Sequence, residues 1–234
     1  MNAIVVENLT KKFDIARSLT KIFRNYKKTN LVIFENISFS VSKGEILGIL
    51  GKNGSGKTTL LRTISGIYKP DKGKISIDGK ITPILHIGTG FHDELVARDN
   101  IILSGMLGGL SKTEITSKVG DILKFSELEK FSEMKLKNYS TGMKARLAFS
   151  TALQINSDIL LIDEILSVGD LSFRNKSFDE ILKLKKNGKA ILFASHNLAS
   201  MVIICDRILL LHQEKILMIG NPHEVIKKYK EIAY

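Results

Sequence analysis

An α/β fold with a parallel-sheet core is what this sequence predicts, and three features predict it. Short apolar runs at 46–50, 159–162 and 190–194 have the length and composition of strands buried on both faces. A glycine-rich loop at 51–58 joins the first of these runs to a segment at 58–67 with helical patterning. Residues 93–153 then read as mostly helical, which places a helical insertion inside an otherwise alternating strand–helix chain. The 234 residues, 44% hydrophobic and 25% charged, suffice for a buried core without disulfides or metals.

In chain order, 4–6 and 37–41 are β-prone, the latter with alternation. Residues 71–85 read as strands around the turn signal Asp78-Gly79. Residues 207–212 and 215–219 read as a closing strand pair, and 224–234 as a final helix. No internal repeat divides the chain, so 1–234 is expected to form a single domain with an antiparallel β subdomain and a helical subdomain at about 93–153.

Several function classes are excluded. The single cysteine, Cys205, lies in an apolar run and cannot form an intrachain disulfide; it reads as a core residue. The N-terminus turns polar too early for a signal peptide, and no stretch approaches the ~18 apolar residues of a membrane span. His86, His92, His212 and His223 have no zinc-ligand spacing. The net charge of +11 calls for an acidic partner: nucleotide, nucleic acid or an anionic membrane face. Seven basic residues against Asp14 alone concentrate that charge at 11–28. Within this stretch Ile15, Leu19, Ile22, Phe23 and Tyr26 recur at helical spacing, and Arg17, Lys21, Arg24 and Lys28 follow on another face. Two readings fit such a basic amphipathic helix: contact with anionic headgroups or a membrane partner, and a surface helix packed on its own domain.

Chemistry is concentrated in three places. Gly51-Lys52-Asn53-Gly54-Ser55-Gly56-Lys57-Thr58 matches G-x-x-x-x-G-K-[ST] in full, with a strand before and a helix after. Its glycines let backbone N–H groups face phosphates, Lys57 supplies a point charge, the Thr58 hydroxyl can ligate Mg²⁺, and Thr59 follows at the helix start. The run 159–162 ends in Asp163 and Glu164, the first placed to hold Mg²⁺ and the second to polarise an attacking water. His196 follows the run 190–194, beside the P-loop strand, where it can bond a γ-phosphate. Asn175-Lys176-Ser177-Phe178 lacks the aspartate of a guanine-reading motif, which favours ATP over GTP.

With these residues in place the chain resembles the ABC transporter ATPases, a branch of the P-loop NTPases. Tyr139-Ser140-Thr141-Gly142-Met143-Lys144-Ala145-Arg146 is similar to their signature motif, Ser167-Val168-Gly169-Asp170 to their D-loop, and His196 to their switch histidine. The resemblance implies a head-to-tail dimer in which Ser140 and Gly142 reach the ATP of the partner subunit, a permease in the membrane, and a station on the cytoplasmic face. It also implies adenine stacking by Phe13, where the family more often has tyrosine; a plain core phenylalanine is the competing reading. The Q-loop glutamine is replaced by the stretch 88–95, with His92 nearest its position. These departures, together with extra residues at about 14–33, are similar to the ATPases that export O-antigen, capsular polysaccharide and teichoic acid. The resemblance therefore implies a lipid-linked polysaccharide as substrate and no nucleic acid. An ABC ATPase of another exporter, or one acting on DNA or ribosomes, is the alternative; the absence of a long coiled-coil insertion and of a second cassette weighs against the latter.

Overall fold

The computed structural model describes residues 1–15, 29–85, 90–163 and 170–233. Two sheets organise it. β1 (Asn2–Ile15) pairs antiparallel with β2 (Thr29–Ser42) on one side and with β4 (Lys72–Ile77) on the other. The central sheet has the order β5-β6-β7-β3-β8-β9: β5 (Ile81–Ile84), β6 (Ile159–Asp163), β7 (Ala190–Ala194), β3 (Ile46–Leu50), β8 (Arg207–His212) and β9 (Lys215–Gly220). All neighbours are parallel except β8 and β9. The expected parallel core, antiparallel sheet and closing strand pair are all present. Asp78-Gly79 closes no hairpin, however. It carries the chain from one sheet to the other, so β4 and β5 never pair. Gly79 has φ +129° and abuts the Asp158 side chain, a position only glycine fills without strain.

Strand alternation builds two cores, one on each face of the central sheet. Leu47 and Ile49 join Ile4, Leu9, Phe34 and helix α1 (Lys57–Ile64) on the face covered by the antiparallel sheet. Ile46 and Leu50 point the other way, toward α5 (Leu171–Lys186), α6 (Leu198–Ile204) and α7 (Pro222–Ala233). Cys205 lies in this second core, its thiol pKa pushed up by burial. Gly48 is required there, because a Cβ would stand 2.8 Å from the Cys205 Sγ. A third apolar cluster joins α2 (Ala97–Leu107), α3 (Lys112–Ser126) and α4 (Thr141–Leu153) through Ile101, Ile115, Ile122, Tyr139 and Leu147. No described helix is long and apolar enough to cross a membrane.

The helix expected over 11–28 fails at its beginning. Residues 12–15 pair in register with 29–32, Phe13 opposite Leu31 and Ile15 opposite Thr29. Phe13 and Ile15 alternate with Lys12 and Asp14, so the stretch also has a strand's period of two, and an available partner strand decides between them. The two ends of the insert expected at 14–33 are thus strand. The basic positions Arg17, Lys21, Arg24 and Lys28 lie outside the described residues.

Candidate functional site

The row of parallel strand ends assembles the site. Ile49 pairs with Ala194 and Ala194 with Asp163, so β3, β7 and β6 finish side by side. The P-loop leaves β3 at this edge, Asp163 ends β6 there, and Ser195-His196 leave β7 there. This is the carboxyl-end crevice where open α/β sheets take their ligands. Asp163 is buried at 8% exposure and His196 is exposed.

The P-loop folds around its own lysine. Lys57, 6% exposed, donates to the carbonyl oxygens of Gly51 at 2.9 Å and Lys52 at 3.2 Å, which draws the loop into a ring. Gly54 and Gly56 have φ of +79° and +96°, and a Cβ on Gly56 would lie 2.7 Å from the Ile33 Cγ2. Ile33 is the bulge residue of β2, between the pairs Lys11–Phe34 and Lys12–Val32. The bulge turns its side chain onto the P-loop. Ile33, Asn53, Gly54, Gly56, Lys57, Thr58 and Thr59 together line a cavity of about 390 Å³.

This cavity fits an anion. Gly56 caps α1 without a side-chain hydrogen bond, and no acidic residue sits in the first turn, so the N–H groups at this helix start face no competing carboxylate. The Ser55 hydroxyl is buried with no hydrogen-bond partner among the described residues, a polar atom waiting for a phosphate or its metal. A phosphate oxygen would give the Ser55 hydroxyl an acceptor, and the Thr58 hydroxyl and the Asp163 carboxylate are oxygen ligands of the kind that Mg²⁺ takes.

Phe13 is half-buried, at the rim rather than in the core. Its ring meets Tyr68 edge-on at 5.3 Å, and Lys11 lies 5.1 Å from its centroid. Through Leu31 it stands two residues along β2 from Ile33. His92 is exposed, and its Nδ1 accepts from the Glu94 N–H at 3.3 Å. The loop around it is held by Asn100, which the sequence reading passed over. Asn100 is fully buried, its Oδ1 accepts from the His92 N–H at 2.6 Å, and its Nδ2 reaches the carbonyls of His92, Leu95 and Val96.

Ser140 and Gly142 are not beside the P-loop. They open α4, in the helical cluster, whereas the P-loop helix packs in the core under the antiparallel sheet. Ser140 is exposed, and its hydroxyl accepts from the Met143 N–H at 3.1 Å as the N-cap. Tyr139 anchors this edge from below. It is buried, its OH donates to the Phe131 carbonyl at 2.7 Å, and desolvation raises its pKa to about 12. Glu164 and the residues Ser167, Val168 and Gly169 lie outside the described residues, as do Gly88 and Thr89. Asp170 caps α5 by accepting from the Phe173 N–H.

A phosphate-cradling loop at the carboxyl edge of a parallel sheet, with a metal-suited carboxylate at the same edge on the next strand but one, defines a P-loop nucleotide-binding protein. Residues 34–167 match the family model described as ABC transporter, and the chain belongs to that family. It is 40% identical over 211 residues to the O-antigen export system ATP-binding protein RfbB of Klebsiella pneumoniae, covering 90% of this chain and 86% of that one. It is 39% identical over 236 residues to the teichoic acids export ATP-binding protein TagH of Lactiplantibacillus plantarum. There the match takes in 98% of this chain but only 65% of the relative's length. Among solved structures, the ATP-binding subunit of an ABC transporter superposes with a TM-score of 0.80 at 23% identity, covering 97% of this chain and 93% of that one. A dimeric ATP-binding cassette bound to ADP and Pi does so equally well, over 94% of this chain and 98% of that one. These two show the shared fold.

Proposed function

We propose that this chain is the ATP-hydrolysing subunit of an exporter that moves a lipid-linked polysaccharide across the cytoplasmic membrane. The observation that carries the ATPase reading is the P-loop cavity with its Ser55 hydroxyl, unpartnered among the described residues, at the same sheet edge where β6 ends in Asp163 and β7 leads into His196. Lys57, Ser55 and the loop N–H groups hold the triphosphate. Thr58 and Asp163 hold Mg²⁺, which when bound screens charge on the phosphates. Glu164 polarises the attacking water and His196 bonds the γ-phosphate. Phe13 supplies the ring for adenine. Exposed and remote from its own P-loop, the Ser140–Gly142 edge completes the site of a second copy in a head-to-tail dimer. A separate permease spans the membrane, with this subunit on its cytoplasmic face. The whole chain acts as one ATPase domain, with 93–153 as its helical subdomain.

The choice of polysaccharide rests on the O-antigen and teichoic acid export proteins that the chain resembles over most of its length. The test is a strain deleted for this gene and complemented with wild type or Lys57→Ala, beside hydrolysis assays on both purified proteins. Wild type restores surface glycan and hydrolyses Mg-ATP; the variant does neither, and lipid-linked glycan accumulates inside. Normal surface glycan in the uncomplemented strain sinks the substrate, and full hydrolysis by Lys57→Ala sinks the ATPase.

A further inference from the structure

Arg146 sits where three helices meet. Its Nη1 donates to Glu127 Oε2 at 2.9 Å and its Nη2 to Asp170 Oδ2 at 2.7 Å. Its guanidinium also stands 4.9 Å from the centroid of the Phe173 ring. Glu127 is the left-handed C-cap of α3, with φ +61°, and Asp170 is the N-cap of α5. Lys176 of α5 reinforces the junction: it donates to the Phe125 carbonyl at 2.9 Å, lies 4.7 Å from the Phe125 ring and approaches Glu127 at 3.7 Å. Only a planar fork can reach two carboxylates on different elements while stacking on a ring. The Arg146 side chain is 17% exposed, against 44% and 61% for its two carboxylate partners, so the shielded member of the network is the cation.

The network lies at the solvent edge of a core that α4 and α5 share, where Phe149 packs on Phe173 and on Leu160 and Ile162 of β6, and it adds a directional polar link to that apolar contact. α4 carries Ser140 and Gly142 at its start, one to two turns before Arg146. The N-cap of α5, Asp170, comes seven residues after Asp163, which ends in the nucleotide row. We propose that Arg146 is a positioning residue: it holds the Ser140–Gly142 edge at a fixed setting relative to the Asp163 strand of its own subunit. It touches neither nucleotide nor metal. Its effect is on the geometry in which the completed dimer reacts, not on how one P-loop binds ATP.

This inference rests on the ATPase reading, and Asp170→Asn isolates it. Asparagine keeps an oxygen to cap α5 but loses the charge that Arg146 grips. Arg146→Lys keeps the charge but not the fork. Saturating ATPase rates, affinity for a fluorescent ATP analogue and thermal midpoints are measured for both variants and wild type, at low and high salt. The expected result is kcat lower by about tenfold in both variants. Analogue affinity and thermal midpoint stay close to wild type, and the salt dependence of kcat seen in wild type is lost in Asp170→Asn. Unchanged kcat in either variant overturns the proposal, as does a parallel fall of kcat, affinity and thermal midpoint, which marks a merely structural role. A wild-type protein whose hydrolysis survives Lys57→Ala counts instead against the ATPase reading.

Discussion

At Gly56 two independent constraints meet, and each excludes a side chain. Its φ of +96° is left-handed, which costs an alanine about 1–2 kcal/mol, and the Ile33 methyl occupies the space a Cβ needs. Gly56→Ala is therefore expected to lower both the thermal midpoint and ATP affinity, measured by scanning fluorimetry with and without Mg-ATP. Relief by the added change Ile33→Ala separates the clash from the backbone strain, since only the first is cured. Tyr139 makes a pH-dependent contribution. Its folded pKa, near 12, exceeds the usual phenol value near 10, so its stabilisation is fully present below about pH 10 and is lost as pH rises toward 12. Alkaline titration of the thermal midpoint should show a smaller decline over that window in Tyr139→Phe than in wild type. The P-loop was legible in the sequence because all its parts are contiguous. Tyr139 was legible only as a motif position, because the carbonyl it bonds lies eight residues away on a turn with no pattern of its own.

Among the elements, the loop at 92–96 shows how a short irregular stretch acquires one conformation. A single buried amide, Asn100, serves one N–H and three carbonyls there, in place of the ladder that a strand would provide. Asn100→Ala removes the acceptor of the His92 N–H and leaves each of the three carbonyls with its backbone donor alone, and urea unfolding is expected to reveal a loss of about 1–3 kcal/mol. Aspartate at this position should be no better, because it keeps the acceptor but removes the donors. Nothing in the sequence marks Asn100: it lies on a helix face between apolar residues, and its partners follow from the turn of the chain rather than from spacing. The same limit hid the Arg146 junction, whose carboxylates are 19 and 24 residues away in opposite directions. It also explains the error at 12–15. Local periodicity fitted a helix, whereas the partner that made it a strand lay beyond the intervening basic stretch.

For the whole molecule, the distance between the P-loop core and the exposed Ser140 edge leads to the expectation of a nucleotide-dependent dimer. Glu164→Gln, which keeps the side chain's shape and removes its basicity, should bind Mg-ATP, hydrolyse it at least about a hundredfold more slowly and elute as a dimer in size-exclusion chromatography. A monomer with normal turnover would place the base elsewhere. The parallel α/β class, the strand ends and the order of the motifs were all readable in advance, since buried parallel strands leave unbroken apolar runs. The division of labour between the two sheets was not, because Asp78-Gly79 has the composition of a hairpin turn and acts as a crossing. The strand order carries one more consequence, for synthesis. β3 ends in the P-loop, yet its neighbours on both sides, β7 and β8, begin about 150 residues later. While the ribosome is still making residue 180, the early antiparallel sheet has all its strands, but β3 has neither of its partners. The nucleotide cradle is thus translated well before the strands that assemble it. Until residues 190–212 emerge, an apolar strand is left waiting for its partners, and a holding chaperone would have the most to protect during that interval.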